Sequence, residues 1–185
     1  MYEYTNKPTR RRFPKVPYSR RIGAFAIDFT TVSLFSALGF APFWLLFILG
    51  WLLLRVVVVE RNKGQSLGRW ALDMKAIDSR FNRVPGLVSL AKREGIVGFA
   101  ALLGAIGLSI NFHNGMTMLL LISPLLADCG VAFTDEELNQ ALHDRIGETI
   151  VVQTRRGFSL DLRLKRLWGK FHAEAQRRGE GEEVD

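Results

Sequence analysis

A shortage of cysteine and histidine removes several classes of site from this chain. Its 185 residues include one cysteine, Cys129, so a disulfide framework and a cysteine-ligated metal site are both excluded. The three histidines stand at positions 113, 143 and 172, too scattered to predict one metal site. A phosphate-binding loop of the G-x-x-x-x-G-K-S/T type and a C-x-x-C motif are also lacking. We therefore expect a protein that is not an enzyme and that holds neither a metal nor a cofactor.

Apolar residues, in contrast, are abundant and are concentrated in two blocks of 38 residues, 22–59 and 96–133. A single helix of that length would be about 57 Å long, whereas the hydrocarbon core of a bilayer is roughly 30 Å thick. Each block is therefore predicted to fold back once, at 39–42 and at 111–115, where glycine, proline and asparagine favour turns. The four predicted spans are residues 22–40, 41–59, 96–110 and 116–133. Two buried helical hairpins of a soluble protein are the alternative, which the scarcity of polar residues in both blocks disfavours.

Basic residues indicate how these spans are oriented. The formal net charge is +7, and of the 25 Lys and Arg residues seven lie in 1–21, eight in 61–93 and nine in 145–178. Only Arg55 lies inside a span, and neither hairpin tip carries a Lys or Arg. The positive-inside rule then places both termini and the middle segment in the cytoplasm. We expect a multi-pass membrane protein with both termini cytoplasmic, in contact with an anionic inner leaflet and without a nucleic-acid partner.

Shorter elements are predicted outside the spans. Residues 70–78 and 148–154 have the alternation and β-branched composition of strands, and they are candidates for a small cytoplasmic ribbon. Residues 160–178 predict a basic amphipathic helix, which would lie on the inner leaflet or pack on the protein's own cytoplasmic surface. The predicted fold is thus an all-α membrane protein with four transmembrane helices in two hairpins, a small cytoplasmic β element and a C-terminal amphipathic helix. Its segments are a basic arm (1–19), a membrane domain (20–155), and the amphipathic helix with an acidic tail (156–185).

Three charged residues lie within the four predicted spans: Asp28, Arg55 and Asp128. At 1.5 Å per helical residue they lie about 9, 6 and 8 Å from the predicted cytoplasmic ends of their spans. An unpaired charge at such depth costs on the order of 1–3 kcal/mol. We expect Asp28 and Arg55, on adjacent spans, to form an ion pair directly or through one water. Asp128 would then be left over as the better protonatable or cation-binding group, unless all three residues only maintain helix register.

Three stretches of the sequence resemble the RDD family of small polytopic bacterial membrane proteins. Arg21 precedes Asp28 by seven residues as the first span begins. The stretch GQSLGR at 64–69 is similar to the G-x-S/T-L-G-K/R element that the family has after its second span. The stretch QALHDRIGETIVV at 140–152 is similar to the family's His-Asp-Lys/Arg stretch and the strand that follows it. The resemblance covers roughly residues 18–155.

The resemblance implies a protein of a bacterial inner or internal membrane. Arg21, Asp28 and Asp144 would be the arginine and the two aspartates of the family name. The resemblance also implies a link to transport, since a few members have been connected with cation/proton exchange. Four residues are candidates for an ion or proton site: Asp28, Asp128, His143 and Asp144. Alternatively, Asp144 acts as a clamp at the cytoplasmic mouth by bonding an arginine, for which the candidates are Arg21, Arg69 and Arg93.

Two functions remain open from the sequence. The first is transport, in which intramembrane carboxylates couple a small cation or solute to protons, with the protein working as a homo-oligomer. The second is a non-transporting accessory or assembly subunit of a larger membrane complex. That subunit would dock through the small residues of 101–108, which permit close approach of another helix.

Overall fold

Four long helices and a two-stranded sheet make up the part of the chain that the computed structural model describes. This part comprises residues 16–109, 114–134, 140–154, 159–160, 162–166 and 168–169. Its elements are α1 (Tyr18–Ser36), α2 (Phe43–Leu52), a π-helical turn (Leu53–Val57), α3 (Val58–Arg61), α4 (Leu67–Ala71), β1 (Met74–Asp78), α5 (Leu87–Ser109), α6 (Gly115–Thr134), α7 (Leu142–Ile146) and β2 (Thr149–Gln153). Residues 160, 162–166 and 168–169 are also helical, within the predicted amphipathic helix. Most of the predicted N-terminal arm and the acidic tail lie outside the described residues.

Two of the long helices have the length and apolar composition needed to cross a membrane. One is the continuous helix Phe43–Arg61, formed by α2, the π turn and α3, and the other is α6, Gly115–Thr134. They correspond to the predicted spans 41–59 and 116–133. α1 and α5 correspond to the other two predicted spans but do not reach the same combination of length and apolar composition. The count of four spans therefore remains a prediction.

The first helix ends before the predicted boundary of its span at 22–40. α1 ends at Ser36, and Gly39 then adopts a φ of 79°, a left-handed conformation that a right-handed helix does not contain. The next helix begins at Phe43, directly after Pro42. Proline fits at the start of a helix because the N–H that it lacks would have no partner there. The turn between the first two helices thus occurs where glycine and proline predicted it, although the helix bounds differ by several residues.

α5 is longer than the predicted third span at 96–110. It runs from Leu87 to Ser109, so it begins nine residues earlier and includes a polar stretch predicted to lie outside the span. That stretch contains Arg93 and Glu94, which are 2% and 0% exposed. Water does not solvate these two charges, and other side chains compensate them instead.

α6 contains Pro124 in its interior without ending there. A proline in a helix leaves the carbonyl four residues earlier without its usual N–H donor. That carbonyl belongs to Leu120, and the hydroxyl of Ser123 donates a hydrogen bond of 2.8 Å to it. A side-chain donor of this kind satisfies the backbone where no water is available. The helix therefore continues to Thr134.

The long helices pack in chain order, with α1 against α2, α2 against α5 and α5 against α6. An apolar core between the first three contains Phe47, Trp51 and Ala101. Gly104 and Gly107 of α5 are buried and face Leu125 and Leu121 of α6, respectively. The prediction that the small residues of 101–108 form a docking surface is therefore wrong, because these residues serve contacts within the chain.

The two predicted strands form an antiparallel ribbon, β1 with β2, in which Met74 pairs with Gln153 and Asp78 with Thr149. This confirms the predicted pairing. The strand predicted at 70–78 is too long at its start, since its first two residues belong to α4 and β1 begins at Met74. The ribbon packs beside α4, so the β element and the GQSLGR stretch are positioned together.

Candidate functional site: a buried ionic cluster

Nine ionisable side chains meet where α1, the π turn, α4, α5, α6 and α7 converge. We call them the ionic cluster: Arg21, Asp28, Arg55, Arg69, Arg93, Glu94, Asp128, His143 and Asp144. Four arginines balance four carboxylates, so the cluster carries no formal net charge when its histidine is neutral. Eight of the nine residues are at most 9% exposed. Buried charges are tolerated in this way only when they are paired and hydrogen-bonded.

Asp28 is fully buried and lies at the contact between α1 and α4. Arg55 Nη1 donates to Asp28 Oδ2 over 3.0 Å, so the two residues form a direct ion pair, as the sequence predicted. The hydroxyl of Ser66 donates to the same oxygen over 2.6 Å, and the backbone N–H of Gly68 donates to Oδ1 over 2.7 Å. Asp28, in the first predicted span, therefore anchors the segment with Ser66 and Gly68, which follows the second predicted span.

Three residues of the GQSLGR stretch have structural roles: Gly64, Ser66 and Gly68. Ser66 is the N-cap of α4, since its hydroxyl oxygen accepts a hydrogen bond from the N–H of Arg69. A Cβ at Gly68 would collide with the backbone carbonyl of Ala24, so α4 approaches α1 this closely only with glycine there. Gly64 has a φ of 88° and lies against the backbone of β1.

The same stretch also contains the G-x-S-x-G spacing of a hydrolase nucleophile elbow. An elbow presents its serine on a sharp strand-to-helix turn with the hydroxyl exposed. Ser66 is instead fully buried, follows α3 rather than a strand, and donates its hydroxyl proton to Asp28. Its position thus fits a structural role and not that of a nucleophile.

Arg55 reaches the cluster from the π-helical turn at Leu53–Val57. Such a turn holds one residue more than an α-helical turn, which rotates the residues that follow by about 100°. The guanidinium carbon lies 4.9 Å from the centre of the Trp51 ring, a cation–π contact. The aromatic face and two carboxylates therefore compensate this charge within the predicted second span.

Glu94 is the central acceptor of the cluster, and the sequence did not predict it. Arg55 Nε lies 2.7 Å from its Oε2 and Arg69 Nη2 lies 2.8 Å from its Oε1, while Arg93 Nε is 3.2 Å from Oε1. Glu94 lies in a polar stretch just before the predicted third span at 96–110. Extending the helical periodicity back to Leu87 would have placed it near Arg55.

Asp144 of α7 pairs with arginines of α1 and α5. Arg21 Nη2 donates to Asp144 Oδ2, and Arg93 Nη2 lies 2.9 Å from Oδ1. Burial alone would raise the pKa of this carboxyl group, but Arg93, His143 and Arg21 together lower the pKa below its ordinary value. Asp144 thus bonds two of the three arginines predicted for a clamp.

Asp128 is paired with His143. The imidazole Nδ1 lies 2.5 Å from Asp128 Oδ2, and the backbone N–H of His143 donates to Oδ1 over 3.0 Å. The prediction that Asp128 is a carboxylate left without a partner is therefore wrong. The other ring nitrogen, Nε2, lies 3.4 Å from Asp144 Oδ1 and 3.5 Å from Arg93 Nη2. His143 consequently connects α6 with the arginines of the cluster.

Arg69 is the least compensated cation of the cluster. It is 3% exposed, and its Nη1 has no hydrogen-bond partner among the described residues. Burial, followed by the positive charges of Arg93 and Arg55, lowers the pKa of Arg69 to about 9. Glu94 opposes this effect from 2.8 Å without removing it.

A cavity of about 440 Å³ adjoins the cluster between α1 and α6. Its lining is mostly apolar, with Phe25, Val97 and Leu125 among the walls. The charged and titratable residues of the lining are Arg21, Arg55, Arg69, Arg93, Asp128 and His143, together with Tyr18 and Cys129. At one end Tyr18 closes the gap between the helices by donating its hydroxyl to the carbonyl of Ala132 over 2.6 Å. The cavity is thus a mostly apolar space with four arginines in its lining.

Within the described part of the chain, no three His, Cys, Asp or Glu side chains are grouped so that they would hold a metal ion. The carboxylates of the cluster are arranged around arginines and a histidine. Their geometry suits charge compensation, because each carboxylate already accepts hydrogen bonds from protein donors.

The RDD family model matches residues 16–148 of the chain. This match includes every member of the ionic cluster and confirms the resemblance seen in the three stretches of sequence. Comparison with curated proteins and comparison with solved structures each give no match.

Proposed function

Since the protein belongs to the RDD family of membrane proteins, we propose that it is a transport-related integral membrane protein in which the Asp128–His143 pair takes up and releases a proton. In this proposal, α1, the helix Phe43–Arg61, α5 and α6 all span the bilayer. The ionic cluster and both termini lie on the cytoplasmic side, where the positive-inside rule places the basic segments.

The single observation that carries the proposal is the buried Asp128–His143 contact of 2.5 Å at the wall of the cavity. Histidine is the side chain most often used to pass protons near neutral pH, and the imidazole Nδ1 of His143 faces a carboxylate oxygen of Asp128. Both residues line the cavity, so a proton has a path between them and the space that a solute would occupy.

Charge balance links proton uptake to a second event. With His143 neutral, the four carboxylates and four arginines of the ionic cluster cancel. A proton on His143 places one extra positive charge beside Arg93 Nη2, 3.5 Å away, in a site where water does not screen it. The extra charge favours entry of an anionic group, loss of a cation, or separation of α7 from α5. Each of these couples the proton to a movement.

The structure favours proton coupling over direct binding of a metal cation by the carboxylates. Of the predicted ion-site residues, Asp28 accepts three hydrogen bonds and Asp144 is held by two arginines. Displacing an arginine from either carboxylate would leave a buried, unpaired guanidinium. We therefore propose that Asp28 and Asp144 hold the cluster together, while Asp128 and His143 carry the proton.

Proton flux in reconstituted vesicles tests this function. Vesicles with a pH-sensitive dye inside are given gradients of Na⁺, K⁺ or inorganic phosphate, and the internal pH is followed. Asp128→Asn should abolish the pH change, because Asn cannot accept the proton of His143. Glu60→Gln, which neutralises an exposed carboxylate on α3, should leave it unchanged. Equal flux in wild type and Asp128→Asn, or no wild-type flux with any gradient, would contradict the proposal.

The accessory-subunit function rests on the outward face of α6. Met116, Leu119 and Leu120 are 81%, 58% and 70% exposed, so no described part of the chain covers them. Lipid or a partner helix can occupy such a face. Purification from mild detergent separates the two functions: a small self-oligomer supports transport, whereas a stoichiometric complex with other chains supports the accessory role.

A further inference from the structure

The cavity beside the ionic cluster presents one sign of charge. All four arginines of the cluster line it, but only one of the four carboxylates does, Asp128, and that carboxylate is bonded to His143. Asp28, Glu94 and Asp144 are 0% exposed and are not among the lining residues. The charged lining of the cavity is therefore mainly cationic, although the cluster as a whole is balanced.

One of these arginines has an unused donor. Arg69 is 3% exposed, lines the cavity, and has an Nη1 without a hydrogen-bond partner among the described residues. A buried donor without a partner is costly and uncommon in folded proteins. An anionic oxygen in the cavity would satisfy it and would also offset the repulsion from the neighbouring arginines.

The mouth of the cavity is apolar. Three apolar side chains line the cavity and are each 56–60% exposed: Ile22 of α1, and Leu126 and Phe133 of α6. In a membrane protein, apolar side chains exposed between two helices face acyl chains rather than water. The volume of about 440 Å³ lies within the range of pockets that hold small ligands. A ligand for this cavity thus combines an apolar tail with an anionic head.

We propose that the cavity binds a membrane lipid with an anionic phosphate headgroup. The phosphate lies against Arg69 and the other arginines of the lining, and an acyl chain lies between α1 and α6. Guanidinium suits this ligand because its planar fork matches phosphate oxygens and is weakly hydrated. The lipid site goes beyond the proton-linked function and does not depend on it.

The chain carries its own reporter, since its single cysteine, Cys129, lines the cavity and is exposed. The rate of its modification by N-ethylmaleimide is measured with the full protein in nanodiscs of phosphatidylcholine, with and without phosphatidylglycerol of the same acyl chains. Phosphatidylglycerol should slow the reaction. In a Cys129→Ser, Leu120→Cys double variant, the cysteine stands on the outward face of α6, and its reaction rate should not depend on the lipid.

Charge variants separate the headgroup contact from general membrane effects. Arg69→Gln should weaken phosphatidylglycerol binding roughly ten- to hundredfold, the effect of losing a hydrogen bond to a charged group, and Arg69→Lys should weaken it less. Arg80→Gln, on an exposed arginine outside the cavity, should behave as wild type. If Arg69→Gln does not fold, Leu126→Trp fills the mouth of the cavity from its exposed wall. It should lower the phosphatidylglycerol retained per protein in native mass spectrometry, while Leu120→Trp should not.

Several results would overturn the lipid site. One is equal reactivity of Cys129 with and without phosphatidylglycerol. Another is equal protection by inorganic phosphate, which would assign the cavity to a free anion. Protection by oleate but not by phosphatidylglycerol would assign it to a fatty-acid carboxylate instead. Because the readouts are binding and thiol reactivity, a failure here is distinct from a failure of proton flux.

Discussion

Replacing Glu94 with glutamine preserves the size of the side chain but removes the charge that three arginines share. Arg55, Arg69 and Arg93 lie 2.7, 2.8 and 3.2 Å from its carboxylate oxygens, and Glu94 itself is 0% exposed. The variant leaves the ionic cluster with one arginine in excess. Removing one partner of a buried ion pair costs about 3–5 kcal/mol, because the remaining charge is buried without compensation.

The matched control is Glu148→Gln, whose carboxylate pairs with Arg80 at the surface, where the two side chains are 47% and 66% exposed. An exposed pair contributes about 0–1 kcal/mol, so this change should be nearly neutral. Unfolding of the detergent-solubilised protein, followed by tryptophan fluorescence, measures both free energies. A destabilisation of about 3 kcal/mol or more would lower the ratio of folded to unfolded protein more than a hundredfold.

A double variant tests the reason for the loss. Arg69→Gln combined with Glu94→Gln removes one charge of each sign and restores the balance of the cluster. It should be less destabilised than the sum of the two single variants, since the two side chains are in direct contact. If Glu94→Gln is as stable as Glu148→Gln, or if the two single changes simply add, the account of the cluster as a shared charge network is refuted.

The remaining predictions concern backbone approach and pH. Gly68→Ala should destabilise the protein by about 1–3 kcal/mol or more, because the new Cβ meets the carbonyl of Ala24 and displaces the N–H that bonds Asp28. Gly86→Ala is the control, since a Cβ at Gly86 meets open space and should not destabilise the protein. Thermal melting compares the two variants. Asp144 has a lowered pKa in the folded protein, so it contributes stability above its ordinary pKa that is lost as the pH falls through the folded value. The unfolding free energies of wild type and Asp144→Asn are measured between about pH 3 and pH 6. The variant should be less stable than wild type near pH 6, and its stability should fall less steeply toward pH 3. Parallel curves would contradict the stabilising role of the Asp144 carboxylate.

Particular residues show how far the sequence could be interpreted. The pair of Asp28 and Arg55 was predictable because both lie in apolar blocks, where an unpaired charge is costly. Glu94 was not, because it stands in a polar stretch and looks like any solvated carboxylate until α5 is known to begin at Leu87. Asp128 was assigned no partner, because its partner His143 stands outside the apolar blocks.

Hydrophobicity, charge bias and turn residues are local properties, so the sequence by itself determined the apolar blocks, the position of the first turn and the two strands of the ribbon. Most of the second predicted turn, at 111–115, lies outside the described residues. Which acid meets which base was decided only by the tertiary structure. Arg21 and Asp144 are 123 residues apart in the chain and still form an ion pair. Such a pairing depends on where α1, α5 and α7 meet and on the close approach that Gly68 permits, because a salt bridge requires ångström-scale contact that spacing along the chain does not encode.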